Sequence, residues 1–151
     1  MTGTYALLFR LQQPLTLTVG RLGTVVLPAA DLVYVGSALG PGGLQARLAR
    51  HGRREKRPYW HIDYLTLRVQ PRLWRLESGR ERRECQWVRE LLALPGVWTP
   101  VPGFGNGDCR EGCPAHLLAV PSGVLPASSL PPGWDCAYAS SARPEARLRN
   151  T

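Results

Sequence analysis

The stretch from Val33 to Tyr64, VYVGSALGPGGLQARLARHGRREKRPYWHIDY, gathers a tyrosine, an arginine, two histidines and an acid around a cationic run. Arg47, His51 and Arg54 stand at i, i+4 and i+7, which sets them on one polar face of a helix. Leu44 and Leu48 lie beside that face and turn to the core. Tyr34 lies at the end of an apolar strand just before it. A tyrosine can deprotonate an attacking water or relay its proton, and an arginine can neutralise charge building on a phosphoryl oxygen. Together they point to chemistry on a phosphodiester. A solvated basic helix face has the same spacing, so spacing alone does not choose between the two.

Other candidates lie nearby or further along the chain. Arg50, Arg53, Arg54, Lys56 and Arg57 form a run placed to track a phosphate backbone. His61 and Asp63, two residues apart on an expected strand, share one face and could form a metal pair, a hydrogen-bonded relay or a supporting polar patch. Glu84 borders the apolar stripe of a later helix with Val88 and Leu91, a position that suits one divalent cation such as Mg2+. The segment GFGNGDCREGCPAH, residues 103–116, offers Cys109, Cys113 and His116 as thiolate and imidazole ligands for zinc, with Cys85, Asp108 or Cys136 as the fourth. Asn106 and Asp108, on the same glycine-rich loop, could instead approach a metal or a substrate.

These side chains need elements to hold them. Thr4–Leu11 reads as a strand with Tyr5, Leu7 and Phe9 on one face, and Leu15–Val19 with Thr24–Leu27 as a hairpin across a Gly20–Gly23 turn. Leu32–Gly36 is a short apolar run of the kind found in buried central strands. The Gly40–Gly43 break leads to a helix from Leu44 to about Arg53, and Tyr59–Val69 and Leu73–Leu76 read as strands. Ser78, with Glu81 three residues on, opens a second helix that runs to about Leu94 before Pro95-Gly96. Ala115–Val120 is a last strand. The fold expected is mixed α/β of the α+β kind: a small, mostly antiparallel sheet with flanking helices and an extra N-terminal hairpin.

A chain of 151 residues fits one domain, here residues 1–120, followed by a partly ordered tail rich in proline, serine and alanine at residues 121–151. Nineteen Lys and Arg residues against eleven acidic ones give a net charge of +8, which points first to nucleic acid. Arginine makes up 18 of the 19 cations, and its fork matches phosphate in a bidentate way. No stretch approaches the roughly 18 apolar residues of a bilayer span, and the N-terminus lacks the features of a signal peptide. A cytoplasmic setting with reduced cysteines is therefore expected.

The combination resembles the GIY-YIG nuclease family. Gly3-Thr4-Tyr5 looks like the first family motif and Tyr34-Val35-Gly36 like the second. Arg47 with His51 looks like the helix motif, and Glu84, 37 residues after Arg47, like the metal-binding carboxylate. The resemblance covers about residues 3–120. It is nearest to a bacterial and archaeal branch described as a domain of unknown function, which shares the patterns VYVGSA, RHxRxxKxxxWHIDYL and GFGxxDCxxxCxxHL. Tyr5 and Tyr34 stand wider apart than the family motifs usually do, with the Leu15–Leu27 hairpin as an insertion between them.

The resemblance implies phosphodiester cleavage assisted by Mg2+ or Mn2+. Tyr5 or Tyr34 would help activate the attacking water, Arg47 would stabilise the charge on phosphorus oxygens, His51 would assist proton transfer and Glu84 would hold the metal. The expected function is a structure-selective, repair-related DNA endonuclease with little sequence preference, RNA remaining open as a substrate and a repair protein as a partner. A nucleic-acid-binding module without catalysis is the alternative, and a zinc-stabilised interaction domain built on Cys109, Cys113 and His116 a third.

Overall fold

The computed structural model describes residues 1–107, 109–121 and 124–125. Strand β1 (Gly3–Arg10) is apolar on both sides, so it can only lie inside a sheet covered on two faces. Tyr5, Leu7 and Phe9 enter one core, and Ala6 and Leu8 the other. Strands β2 (Leu15–Val19) and β3 (Gly23–Leu27) form a separate two-stranded hairpin. Strand β4 (Asp31–Ala38) repeats the pattern of β1, with Leu32 and Tyr34 facing one way and Val33 and Val35 the other. Helix α1 (Gly43–Gly52) and helix α2 (His61–Thr66) precede strand β5 (Arg72–Ser78). Helix α3 (Glu84–Leu92) and strand β6 (Leu117–Val120) complete the described elements.

The main sheet has the order β5-β1-β4-β6, and every neighbouring pair is antiparallel. Leu44 and Leu48 of α1, Ile62 and Leu65 of α2, and Leu17, Val19 and Leu27 of the hairpin cover one face. Trp87, Val88 and Leu91 of α3 cover the other. The expected α+β class and the hairpin are both found. Strand β6 reaches only Tyr34, so among the described residues the outer edge of β4 from Gly36 onward lacks a strand partner.

Two expectations on local structure are corrected. Tyr59–Val69 was expected as a strand, but α2 forms within it. Asp63, the third helical residue, reaches back and accepts the amides of Tyr59 at 2.8 Å and Trp60 at 3.0 Å. That caps free N–H groups which a strand would have left to a neighbour. On a helix, residues two apart point in different directions, so His61 and Asp63 do not share a face. The second correction concerns α3, which starts at Glu84 rather than Ser78. Ser78 is taken by β5, paired with Gly3, and Glu81 binds Arg83 instead of capping a helix.

The β1–β4 register sets Tyr5 opposite Gly36 and Leu7 opposite Tyr34. A Cβ on Gly36 would sit 2.6 Å from the Tyr5 hydroxyl and 3.0 Å from the Tyr34 ring. Glycine is thus what lets the Tyr5 ring lie across β4. Gly36→Ala should cost about 1–3 kcal/mol through overpacking. Denaturant unfolding checks this, and an unchanged midpoint would mean the ring is not held there.

Candidate functional site

Three of the expected residues meet on the α1 side of the sheet. The Tyr5 hydroxyl lies 2.6 Å from Nε2 of His51, across 46 positions of sequence. The Tyr34 ring is 6.4 Å from Tyr5 and 6.3 Å, edge-on, from His51. Tyr5 and His51 are fully buried, whereas Tyr34 keeps 8% of its surface exposed. Burial, helped by the nearby Lys56 and Arg47 cations, lowers the His51 pKa to about 3. His51 is therefore neutral near pH 7. Its Nδ1 is buried with no hydrogen-bond partner among the described residues.

Arg47 donates to the Ser37 carbonyl at 3.0 Å, and its guanidinium lies 4.2 Å over the Trp60 ring. Arg50 approaches the same ring at 4.9 Å and donates to Asp63 at 2.8 Å. Asp63 is wholly buried. Burial alone would raise its pKa, but the Arg50 bond and the Trp60 and Tyr59 amides bring it below the ordinary value. Lys56 also turns inward, donating to the Arg50 carbonyl at 2.8 Å and to Thr66 at 2.7 Å. Its side chain is only 2% exposed. Of the five cations in the run, Arg53, Arg54 and Arg57 are the ones that face solvent.

A small cleft of about 60 Å³ opens at the unpartnered edge of β4. Tyr34, Gly36 and Ser37 line it from the strand, Gly105 and His116 from the glycine-rich loop, and Arg82 and Glu84 from the start of α3. It adjoins a larger cleft of about 600 Å³ that shares Arg82, Glu84 and Cys109 and adds Arg110 and Glu111. Glu84 is buried to 8% exposure, and its Oε1 has no hydrogen-bond partner among the described residues. The structure thus places Glu84 and Tyr34 on one cleft and the Tyr5–His51 pair behind Tyr34, whereas Arg47 lines a separate cleft with Arg50 and Trp60 and reaches the first only through the Ser37 carbonyl.

His61 and Asn106 hold loops. His61 accepts the Gly105 amide at 2.9 Å through Nδ1 and packs against Phe104, and burial lowers its pKa. Asn106 donates to the Cys113 carbonyl at 2.6 Å. Asp108 and Cys136 lie outside the described residues, as does the tail from residue 126.

Cys85, Cys109, Cys113 and His116 form a group able to hold a metal ion, with ligand atoms all within 4.8 Å of one another. The sequence offered three candidates for the fourth ligand, and the fold brings in Cys85. Burial pushes the Cys85 and Cys113 thiols up. Cys109 feels burial too, but backbone and His116 hydrogen bonds bring it down to about 6. Arg82, Arg110 and Trp60 were not foreseen as parts of the site. For Trp60 the signal was present, an aromatic beside a cationic run, since guanidinium groups stack on such rings.

A family model described as "Domain of unknown function DUF123" matches residues 4–131, and the chain belongs to that family. No curated protein and no solved structure matches it. Among the described residues no helix is long and apolar enough to cross a membrane.

The depressed His51 pKa has a consequence for stability. The unfolded chain takes up a proton near pH 6.5, whereas the folded one refuses it until about pH 3. The contribution is whole above pH 6.5 and is lost as pH falls toward 3, with a slope of up to about 1.4 kcal/mol per pH unit. Unfolding curves across that range should show this slope in the wild type and a flatter one in His51→Gln. Equal slopes would place the titration elsewhere.

Proposed function

We propose that this member of the DUF123 family is a metal-dependent endonuclease of the GIY-YIG type. It cleaves phosphodiester bonds in DNA, selects by structure more than by sequence, and works in a repair setting within the cytoplasm. One observation carries the reading: Tyr34, Arg82 and Glu84 line the same cleft, with the Tyr5–His51 pair packed on the core side of Tyr34, while Arg47 lines a neighbouring cleft and is tied to the first through the Ser37 carbonyl.

The donor set fits Mg2+ or Mn2+. Glu84 is a carboxylate at a cleft, nearly buried, with one oxygen lacking any partner among the described residues. Mg2+ is commonly bound through one or two carboxylates plus substrate phosphates and water. Such an ion would act as a Lewis acid on the phosphoryl oxygens and ease ionisation of a bound water. Tyr34 would orient the attacking water and pass on its proton. The neutral Tyr5–His51 pair would keep the Tyr34 ring in place, and the proton would leave from Tyr34 to solvent, since His51 refuses it near neutral pH. Arg47 and Arg82 would neutralise charge on the non-bridging oxygens, a contribution that is largest in a cleft poor in water. His61 and Asn106 would keep the loop wall fixed. The zinc expected from Cys109, Cys113 and His116 stays in this reading as a structural ion apart from the reacting one.

Nicking assays on supercoiled, flapped and branched DNA with Mg2+ or Mn2+ test the reading, with a structured RNA as a parallel arm. Arg47→Ala and Glu84→Ala should each slow cleavage by about 100-fold or more. If either cuts as fast as the wild type, the assignment fails.

A binding module without catalysis is the second reading, and it is favoured by the exposure of Arg53, Arg54 and Arg57. In both readings these arginines lie on phosphates. Replacing all three by glutamine should weaken DNA binding uniformly across sequences and reduce the salt slope by about 0.9 for each phosphate no longer neutralised. Binding of this kind with no cleavage under any metal would select the second reading.

A further inference from the structure

We propose that Cys85, Cys109, Cys113 and His116 form a closed, tetrahedral zinc site that latches the start of α3 to the glycine-rich loop and so fixes two walls of the cleft. The proposal shares with the reading above only the structural zinc, and it does not depend on cleavage.

The distances suit the ion. Cys85 Sγ lies 3.6 Å from Cys109 Sγ and 3.9 Å from His116 Nε2. Four ligands around one zinc at a Zn–S distance of about 2.3 Å stand roughly 3.8 Å apart along the tetrahedral edges. The three cysteines are free thiols, and 3.6 Å is far beyond the roughly 2.05 Å of a disulfide bond. Cys85, Cys113 and His116 are buried and Cys109 is partly so, as expected of a site with four protein ligands and no open position. Zinc binding releases the thiol protons to solvent and leaves three thiolates around a divalent ion. Cys85 and Cys109 share their cleft with two cations, Arg82 and Arg110, and two carboxylates, Glu84 and Glu111.

The ligands are held before any ion arrives. The His116 carbonyl accepts the Val35 amide at 2.9 Å, and its own amide bonds the Phe104 carbonyl at 2.8 Å. The Cys109 amide bonds the Asn106 carbonyl at 3.0 Å, while Asn106 holds the Cys113 carbonyl. Such outer contacts orient ligands and strengthen metal binding.

The site also reaches the cleft. Cys85 follows Glu84 in sequence, so fixing one fixes the backbone of the other. On the loop side, a Cβ on Gly105 would meet both His116 and Tyr34 at 3.1 Å, so the loop backbone is packed between the ligand and the cleft tyrosine. An ion at the cluster would therefore hold the Glu84 wall and the Tyr34 wall at a set separation.

The test uses the full chain. Metal analysis after purification should find one zinc per chain. Chelator-stripped wild type titrated with Co2+ should give the visible bands of a tetrahedral ion and thiolate charge-transfer of the intensity expected for three sulfurs. Cys85→Ser should reduce that charge-transfer and weaken Co2+ binding by at least the roughly 100-fold that losing even an outer-shell partner can cost. Stripping should speed amide exchange in residues 103–116 and at the start of α3 and leave β1 and β4 protected. No stoichiometric zinc together with no tetrahedral cobalt spectrum would overturn the proposal. So would a Cys85–Cys109 disulfide in the purified chain, or an unaltered spectrum in Cys85→Ser. Should that variant fail to fold, the stripped wild type decides alone. A chain that holds zinc but never cuts DNA defeats the nuclease reading and leaves this one intact.

Discussion

A carboxylate cut off from water must be matched inside the protein, and around Asp63 the hydrogen bonds gather on Oδ2 while the Lys56 ammonium faces Oδ1. Its partners come from three places: Arg50 from α1, Lys56 at 3.9 Å from the connection, and two amides from the entry to α2. Breaking a buried pair of this kind costs about 3–5 kcal/mol, because the charge left behind has no compensation. Helix α1, the connection and α2 therefore behave as one unit. Trp60 is held within that unit, and Arg47 rests on Trp60 while it reaches Ser37. The direction of Arg47 thus depends on a carboxylate it does not touch.

The sheet supplies a second constraint. Because β1 and β4 are apolar on both sides, each must be covered twice, and the covering helices come from different parts of the chain. Tyr5, Tyr34 and His51 lie on the α1 side, whereas Glu84 arrives with α3 on the other. They can meet only where the sheet stops separating them. That place is the end of β4 beyond Tyr34, where β6 gives out and the glycine-rich loop takes over.

Much of this was legible in the sequence. The runs in β1 and β4, and the alternating hairpin, announce themselves through apolar patterns that depend only on neighbouring residues. The misread segments are those decided by distant partners. Residues 59–69 look strand-like until Asp63 finds Arg50 and turns to cap its own helix. Ser78 and Glu81 have the spacing of a cap, but Gly3 pairs with Ser78 and Arg83 takes Glu81. The Tyr5–His51 contact is carried by the register that sets Tyr5 against Gly36, and register cannot be read from either strand alone. Lys56 and Arg50 looked like surface cations because nothing local marks Asp63 as buried. Cys85 was one of three options for a fourth ligand, since only the fold shows which thiol comes back.

Consecutive residues at the start of α3 offer a hard oxygen donor, Glu84, and a soft sulfur donor, Cys85. Neighbouring helical side chains diverge by about 100°, yet both residues line the larger cleft, so it is donor chemistry that distinguishes them. Softness matching sends thiolates to zinc or copper(I) and carboxylates to magnesium or manganese. One peptide bond therefore separates two environments with opposite metal preferences. Sorting between them would rest on donor chemistry at each position rather than on distance, and oxidation would reach the partly exposed Cys109 thiol before the buried Cys85.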